Sequence, residues 1–204
     1  MSKLVVSTFL TLDGVMQGPG GPGEDDSNGF RHGGWLVPHV DEEFGQIMAD
    51  QLTAATGMLL GRRSYDILSA HWPNVPDEEG GALINGMAKY VATRSPLTPA
   101  WNNTEVLVGD AAQTVADLKK CTDGELLVQG SSDLIATLQR ADLIDEYRLL
   151  TFPVVLGEGK RLFAAGAAPA NLRLTAVSST PAGVVYSVYR RTGDLAYGTV
   201  SPNA

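Results

Sequence analysis

Three short segments of this chain carry residue types suited to holding an anion, and each follows an apolar run. Gly61-Arg62-Arg63-Ser64 follows Gly57-Met58-Leu59-Leu60, Thr93-Arg94-Ser95 follows Lys89 to Ala92, and Gly130-Ser131-Ser132 follows Glu125 to Gln129. Apolar runs this short read as buried strands. A glycine turn between a strand's end and a helix's start lets backbone N–H groups face an anion, and the helix dipole adds to the attraction. Hydroxyl, guanidinium and hydroxyl in succession at Thr93, Arg94 and Ser95 make a phosphate clamp. Taken singly, each segment also has a plain reading. Gly130 serves a tight turn with Ser131 or Ser132 as N-cap, Arg62 and Arg63 are solvated charges, and Thr93 to Ser95 start a loop before Pro96.

The elements that must position these segments alternate between strand and helix. Residues 125–163 read as strand, glycine turn, helix with Leu134, Ile135 and Leu138 inward, strand, and a second glycine turn at Gly157-Glu158-Gly159. Lys3 to Leu12 is apolar on both faces, which predicts an interior strand. Asp41 opens a helix whose stripe is Phe44, Ile47, Met48, Leu52 and Ala55. The Arg62 segment leads into a helix to about Ala70, and Trp72 to Gly81 reads as loop. Glu105 to Val108 is a further strand, followed by an amphipathic helix from Thr114 to Lys120. Residues 171–178 and 184–190 read as an antiparallel hairpin joined by Pro181-Ala182-Gly183. The pattern predicts one α/β domain over residues 1–191, its sheet mainly parallel with an antiparallel C-terminal hairpin at the edge, and a tail over 192–204 that is mobile or an oligomer contact. In such sheets ligands bind beyond the carboxyl ends of the strands. All three segments share that location, which favours one phosphorylated ligand over three coincidences.

Length and charge bound the function classes. A chain of 204 residues can bury one full core. The formal net charge of -8 argues against a general binder of nucleic acid or anionic membrane. A local cationic pocket built from Arg62, Arg63 and Arg94 is compatible with it. Cys121 is the only cysteine, which points to a reducing compartment such as the cytoplasm. The first residues put one Lys before a short apolar run that Asp13 interrupts, so no secretory peptide is expected. Three scattered histidines offer no metal-ligand spacing.

From Gln17 to Gly34 the chain is rich in Gly, Pro, Asp and Ser, and a connection of that length suggests a binding loop. Gly18-Pro19-Gly20-Gly21-Pro22-Gly23 formally matches G-x-G-x-x-G. Its prolines remove N–H donors and acidic residues follow, so it is not a dinucleotide fingerprint. Glu42 and Glu43, in the first turn after Asp41, complement the helix dipole, a reading that their position favours over catalysis.

Leu12-Asp13-Gly14, Gly61-Arg62-Arg63-Ser64-Tyr65, Val128-Gln129-Gly130-Ser131, Leu143-Ile144-Asp145-Glu146 and Pro153-Val154-Val155-Leu156-Gly157 occur in an order that spans nearly the whole chain. In this the sequence resembles the dihydrofolate reductase-like superfamily. The branch it resembles includes the reductase domain of the bifunctional riboflavin-pathway deaminase–reductase. The resemblance implies a three-layer dihydrofolate reductase-like fold, a homodimer, NADPH as cofactor and a small heterocyclic or carbonyl substrate. It implies that Gly61, Arg62, Arg63 and Ser64 lie along the cofactor's phosphates. Thr93, Arg94 and Ser95 would meet the 2′-phosphate, and Gly130, Ser131, Ser132 and Leu134 belong to the pyrophosphate turn. Ser131 stands where the family often has a second glycine. Trp35-Leu36-Val37-Pro38-His39-Val40-Asp41 resembles the family's Trp-x-x-Pro-x-Asp with a one-residue offset, which makes Asp41 the first candidate for the acid, with Glu42 and Asp13 behind it. A non-catalytic nucleotide-binding or regulatory protein on the same fold is the rival reading.

Overall fold

The computed structural model describes residues 1–200, and the part of the expected tail at 201–204 lies outside the described residues. Eight strands form one sheet: β1 (Lys3–Thr11), β2 (Gly57–Gly61), β3 (Ala88–Thr93), β4 (Thr104–Val108), β5 (Glu125–Gln129), β6 (Glu146–Phe152), β7 (Asn171–Ser179) and β8 (Val185–Gly193). Their order is β4-β3-β2-β5-β1-β6-β8-β7. All pairings from β4 through to β6 are parallel, whereas β8 is antiparallel to both β6 and β7. The hairpin therefore lies at the edge, with its second strand inside its first. Thr192 and Gly193, expected in the tail, close β8 instead because Asn171 pairs with Gly193.

Among the described residues, five α-helices cover the sheet: α1 (Glu42–Ala54), α2 (Arg62–His71), α3 (Gly81–Gly86), α4 (Ala111–Cys121) and α5 (Ser132–Arg140). Leu4, Val6, Leu126, Val128 and Leu149 pack with Val115, Leu118, Ile135 and Leu138 of α4 and α5. On the other face Leu150 and Phe152 pack with Phe44, Ile47 and Met48 of α1. Met58, Leu60 and Val91 pack there with Tyr65 of α2 and Ile84 of α3. The result is a helix–sheet–helix sandwich, with β1 interior as its two-sided apolar pattern requires.

The short α3 has no marked apolar period in the sequence. It is closed from outside by Lys89, wholly buried, whose ammonium donates to the carbonyls of Ile84, Asn85 and Met87 at 3.0, 2.9 and 2.8 Å. The same ammonium lies 4.4 Å from the centre of the Trp101 ring. Burial pushes this lysine down to about 8, while three carbonyl acceptors and an aromatic face suit the protonated form.

An ion network ties the amino ends of the central strands together. Glu146, 2% exposed, meets Lys3 at 2.8 Å, Arg148 at 2.9 Å and Arg190 at 2.9 Å. Arg148 is also bidentate on Glu125, with both contacts at 2.7 Å. Burial alone would raise the Glu146 carboxyl, but its three cationic partners hold it below the ordinary range. Nearby, Asp145 accepts from the Leu4 N–H at 2.7 Å and from Lys119 at 2.6 Å. The Asp145-Glu146 pair thus locks β1 to β6 and α4. Removing one member of a buried ion cluster leaves the others unpaired and typically costs several kcal/mol. Glu146→Ala is expected to lower unfolding stability by about 3 kcal/mol in a urea titration; a loss under about 1 kcal/mol would show the network to be incidental.

Candidate functional site

Parallel strands bring every carboxyl end to one edge of the sheet, and β3, β2 and β5 are neighbours there. Gly61 pairs with Ala92, so Thr93 stands one residue beyond it. Neighbouring strands lie about 4.8 Å apart. The three anion-suited segments therefore form one continuous row about 10 Å wide.

Four helices of eight residues or more begin along this edge, and their first turns differ. Asp41 caps α1, its carboxylate accepting from the Phe44 N–H at 2.8 Å, and Asp110 caps α4, accepting from the Gln113 N–H at 2.9 Å. The two helices that follow β2 and β5 have no side-chain cap. Gly61 has no side chain to offer at the start of α2. At the start of α5, Ser131 occupies the N-cap position in the left-handed region, at φ 67° and ψ 59°. That backbone turns its hydroxyl away from the helix. The hydroxyl accepts instead from the Gly61 N–H at 2.8 Å and reaches the Ser64 hydroxyl at 2.7 Å. Capping by Ser131, one of the plain readings, does not occur. Its hydroxyl joins the β2–α2 and β5–α5 turns to each other and leaves the first N–H groups of both helices without a side-chain partner.

Gly130 is also left-handed, at φ 67°, and a Cβ there would lie 3.2 Å from the Ser64 hydroxyl oxygen. A Cβ on Gly61 would meet the Ser131 hydroxyl at 3.1 Å. Both glycines permit the close approach of the two turns. Ser132 opens α5, and Leu134 is buried in the core beneath the turn, 7% exposed. Leu134 supports the turn from below.

The three arginines are not equivalent. Arg62 is held by Asp66 at 3.0 Å and by the Pro96 carbonyl at 3.0 Å, which fastens α2 to the segment after β3. Arg63 pairs with Asp25 of the long loop at 2.9 Å. Unlike them, Arg94 is exposed and forms no ion pair among the described residues. The Thr93 hydroxyl accepts from the Ser95 N–H at 3.1 Å and donates to the Ser95 carbonyl at 3.0 Å, so the backbone carrying Arg94 is a tight, self-bonded turn.

Two of the three acid candidates are committed elsewhere. Asp13 accepts from the Thr11 hydroxyl at 2.6 Å, from the Gly157 N–H at 2.8 Å and from the Leu156 N–H at 3.2 Å, and Arg161 lies 3.2 Å away. The Thr11 hydrogen bond, with the two backbone N–H groups, holds its carboxyl down to about 2. A group ionised to that pH has no proton to give at neutrality. Asp41 is the α1 cap, and its second oxygen accepts from the Ala182 N–H at 2.9 Å, anchoring the β7–β8 turn. The Phe44 N–H, then that of Ala182, holds its carboxyl below the usual range. Glu42 is exposed, and no hydrogen bond to its carboxylate is found among the described residues.

Beside the row, β1 pairs with β6 as far as Thr11 but with β5 only as far as Ser7. Thr8 to Thr11 thus have no strand neighbour on the β5 side, next to Gly130, although Thr8, Leu10 and Thr11 are buried. The loop from residue 17 to 38 is folded and fastened here. Gln17, 3% exposed, donates to the carbonyls of Asp25 and Ser27 at 3.1 and 3.0 Å, while its amide oxygen accepts from the Lys160 N–H at 3.0 Å. The Trp35 indole donates to the Gln17 carbonyl at 2.8 Å. Glu24 accepts from the N–H groups of Gly20 and Gly21, so the glycine–proline run is engaged within its own loop. Gln17, Asp25 and Lys160 have no distinguishing signal in the sequence. No group of three or more His, Cys, Asp or Glu stands close enough for a metal ion among the described residues. Hollows of about 180 Å³ beside Gln51 and Arg148 and about 510 Å³ beside Lys89 and Asn103 lie toward the amino ends of the strands, away from this row.

Fold and strand-end geometry together define an α/β protein of the dihydrofolate reductase-like class. More closely, the chain belongs to the RibD C-terminal domain family, whose model matches residues 2–186. It is 30% identical over 196 residues to the uncharacterized protein YyaP of Bacillus subtilis (strain 168), covering 94% of this chain and 96% of YyaP. A solved pyrimidine reductase-like protein from Corynebacterium diphtheriae superimposes with a TM-score of 0.65 at 14% identity, covering 95% of this chain and 93% of that one. Dihydrofolate reductase from Enterococcus faecalis, solved with NADP(H), superimposes with a TM-score of 0.59 at 15% identity, covering 93% and 96%.

Two outcomes follow from this geometry. Gly130→Ala places a Cβ on a left-handed residue and against Ser64, so it is expected to cost about 1–2 kcal/mol in chemical unfolding; an unchanged midpoint would show that the turn relaxes freely. Asp13 binds its proton less readily in the folded chain than in the unfolded one. Its contribution to stability is present above pH 3.8 and is lost as pH falls toward 2. Asp13→Asn is therefore expected to flatten the acid limb of a stability–pH curve over that window and to leave the limb's shape at higher pH unchanged.

Proposed function

We propose that this protein is an NADPH-dependent reductase of a small heterocyclic (pteridine- or pyrimidine-like) or carbonyl substrate. The observation that carries the reading is the pair of α2 and α5 first turns, side by side and without side-chain caps, with the unpaired Arg94 one strand away. Free N–H groups at two helix starts and a cation at the end of the row match the pyrophosphate and 2′-phosphate of that cofactor. The family match and the fold shared with an NADP(H)-bound dihydrofolate reductase support it.

When bound, the cofactor supplies hydride, and the protein's residues do the rest. The Gly130–Ser131 and Gly61–Ser64 turns hold the pyrophosphate, and Thr93, Arg94 and Ser95 read the 2′-phosphate. The edge of β1 at Thr8 to Thr11, which β5 leaves unpaired, receives the reacting end. The 17–38 loop, closed by Trp35 on Gln17, keeps water from it. Reduction of a C=N or C=O group also consumes a proton. Of the acidic candidates only Glu42 retains an uncommitted carboxylate, and we assign it proton delivery. The commitment of Asp13 and Asp41 favours the rival reading, a non-catalytic NADP(H)-binding protein.

Titration of NADPH against tryptophan fluorescence is expected to saturate, with NADH weaker; absence of a saturable signal removes the cofactor. Arg94→Ala is expected to weaken NADPH binding roughly tenfold or more and NADH binding little. Equal losses would place recognition of the 2′-phosphate elsewhere. Binding without turnover across pterins, pyrimidines and quinoid carbonyls would favour the rival. We also propose a homodimer formed through β7, an edge strand exposed on both faces, with Leu174 48% and Val177 60% exposed. Sedimentation is expected to give twice the chain mass, and Val177→Asp to shift it toward the monomer.

A further inference from the structure

The long loop brings its own anion to the edge at which a phosphate would bind. Asp25 is only 11% exposed at its side chain, and its two oxygens bridge two cations from separate parts of the chain. One oxygen meets Arg63 at 2.9 Å, and the other meets Lys160 at 2.6 Å. Ser27 adds its hydroxyl at 2.6 Å and its N–H at 3.2 Å. Burial works against this charge, but the hydrogen bonds from Lys160 and Ser27 outweigh it, and the group stays ionised more readily than a free aspartate. Arg63 is the second residue of α2, directly before the Ser64 whose hydroxyl touches Ser131. It stands in the uncapped first turn and is the cation next to the shared αβ junction.

The far side of the loop is fastened independently. Glu158 lies 3.2 Å from His32 and 3.6 Å from Arg31, and Gln17 binds the Lys160 N–H. The loop therefore hangs from the 157–160 turn on one side, and Asp25 is its ionic tie to α2 on the other. An anion arriving at the α2–α5 edge meets an arginine already neutralised by a carboxylate.

We infer that Asp25 is a resident anion that straps the loop to Arg63 and gives way when a phosphorylated ligand takes the edge. The inference rests on the reading of that edge as a phosphate site and adds a coupling between ligand binding and loop position. By linkage the coupling is reciprocal: whatever frees the loop from Arg63 tightens anion binding, and anion binding loosens the loop. Lys160 keeps hold of Asp25 as the tie to Arg63 opens, so the loop swings from one anchored side without detaching.

The test uses the full chain and its Asp25→Asn variant, with Asp25→Ser as a second variant should the first melt below the parent. Without ligand, hydrogen exchange across residues 17–34 is expected to be faster in the variant; equal exchange overturns the strap. With NADPH, and with inorganic pyrophosphate as the minimal probe, the variant is expected to bind roughly twofold to tenfold more tightly, the range of a part-exposed ion pair. Unchanged or weaker binding by the variant, while the parent binds NADPH, overturns the strap and leaves the cofactor reading intact. Failure of both proteins to bind either probe overturns the cofactor reading and the gating role together.

Discussion

Everything at the candidate site depends on one unequal pairing in the sheet. Strand β1 pairs with β6 from Val5 to Thr11 and with β5 from Lys3 only as far as Ser7. Had β5 continued, the space beside Thr8 to Thr11 would be filled by backbone. Because it stops at Gln129, the chain turns through two left-handed residues and starts a helix against the neighbouring turn. The unpaired edge of β1 at Thr8 to Thr11 and the approach of Gly61 to Ser131 both follow from that early stop.

Charge is then distributed by burial. At the amino ends of the strands Lys3, Arg148 and Arg190 surround Glu146, which is almost out of solvent, and nothing is left over to bind a ligand. At the carboxyl ends the guanidinium groups are more exposed and partly neutralised, Arg62 by its own helix and Arg63 by a loop carboxylate. Among the described residues, an acidic chain thereby keeps a single arginine without an ion pair, Arg94, on the row of strand ends. Electrostatic attraction at that edge is local, as it must be on a protein whose overall charge repels anions.

The acids show how the same residue type is assigned different work by its neighbours. Asp13, Asp25, Asp41 and Asp145 all accept backbone N–H or cationic donors, and each joins segments far apart in the chain. A carboxylate used as a fastener is a poor proton donor, because the bonds that fix it also stabilise its charged form. The Asp13 and Asp41 carboxylates are spent in this way, each accepting from a backbone N–H of a distant segment.

The sequence by itself determined the alternation of strand and helix, the two-sided burial of β1, the C-terminal hairpin and the three strand-end segments. These are local properties: apolar period, glycine turns and runs of hydroxyl and guanidinium groups. It left α3 unseen, since that short helix is closed by Lys89 from outside. Only the tertiary structure decided which cations remain available. Arg62, Arg63 and Arg94 are alike as letters, and what separates them is whether Asp66, Asp25 or no acid comes within reach. The Gly130-Ser131-Ser132 turn changes meaning in the same way. In sequence it reads equally as a capped turn or as an anion cradle, and the left-handed Ser131, drawn to Gly61 from an adjacent strand, removes the cap. Long-range pairing settles such choices because ionic and hydrogen-bonding partners more than a hundred residues apart, such as Asp25 and Lys160, have no pattern along the chain.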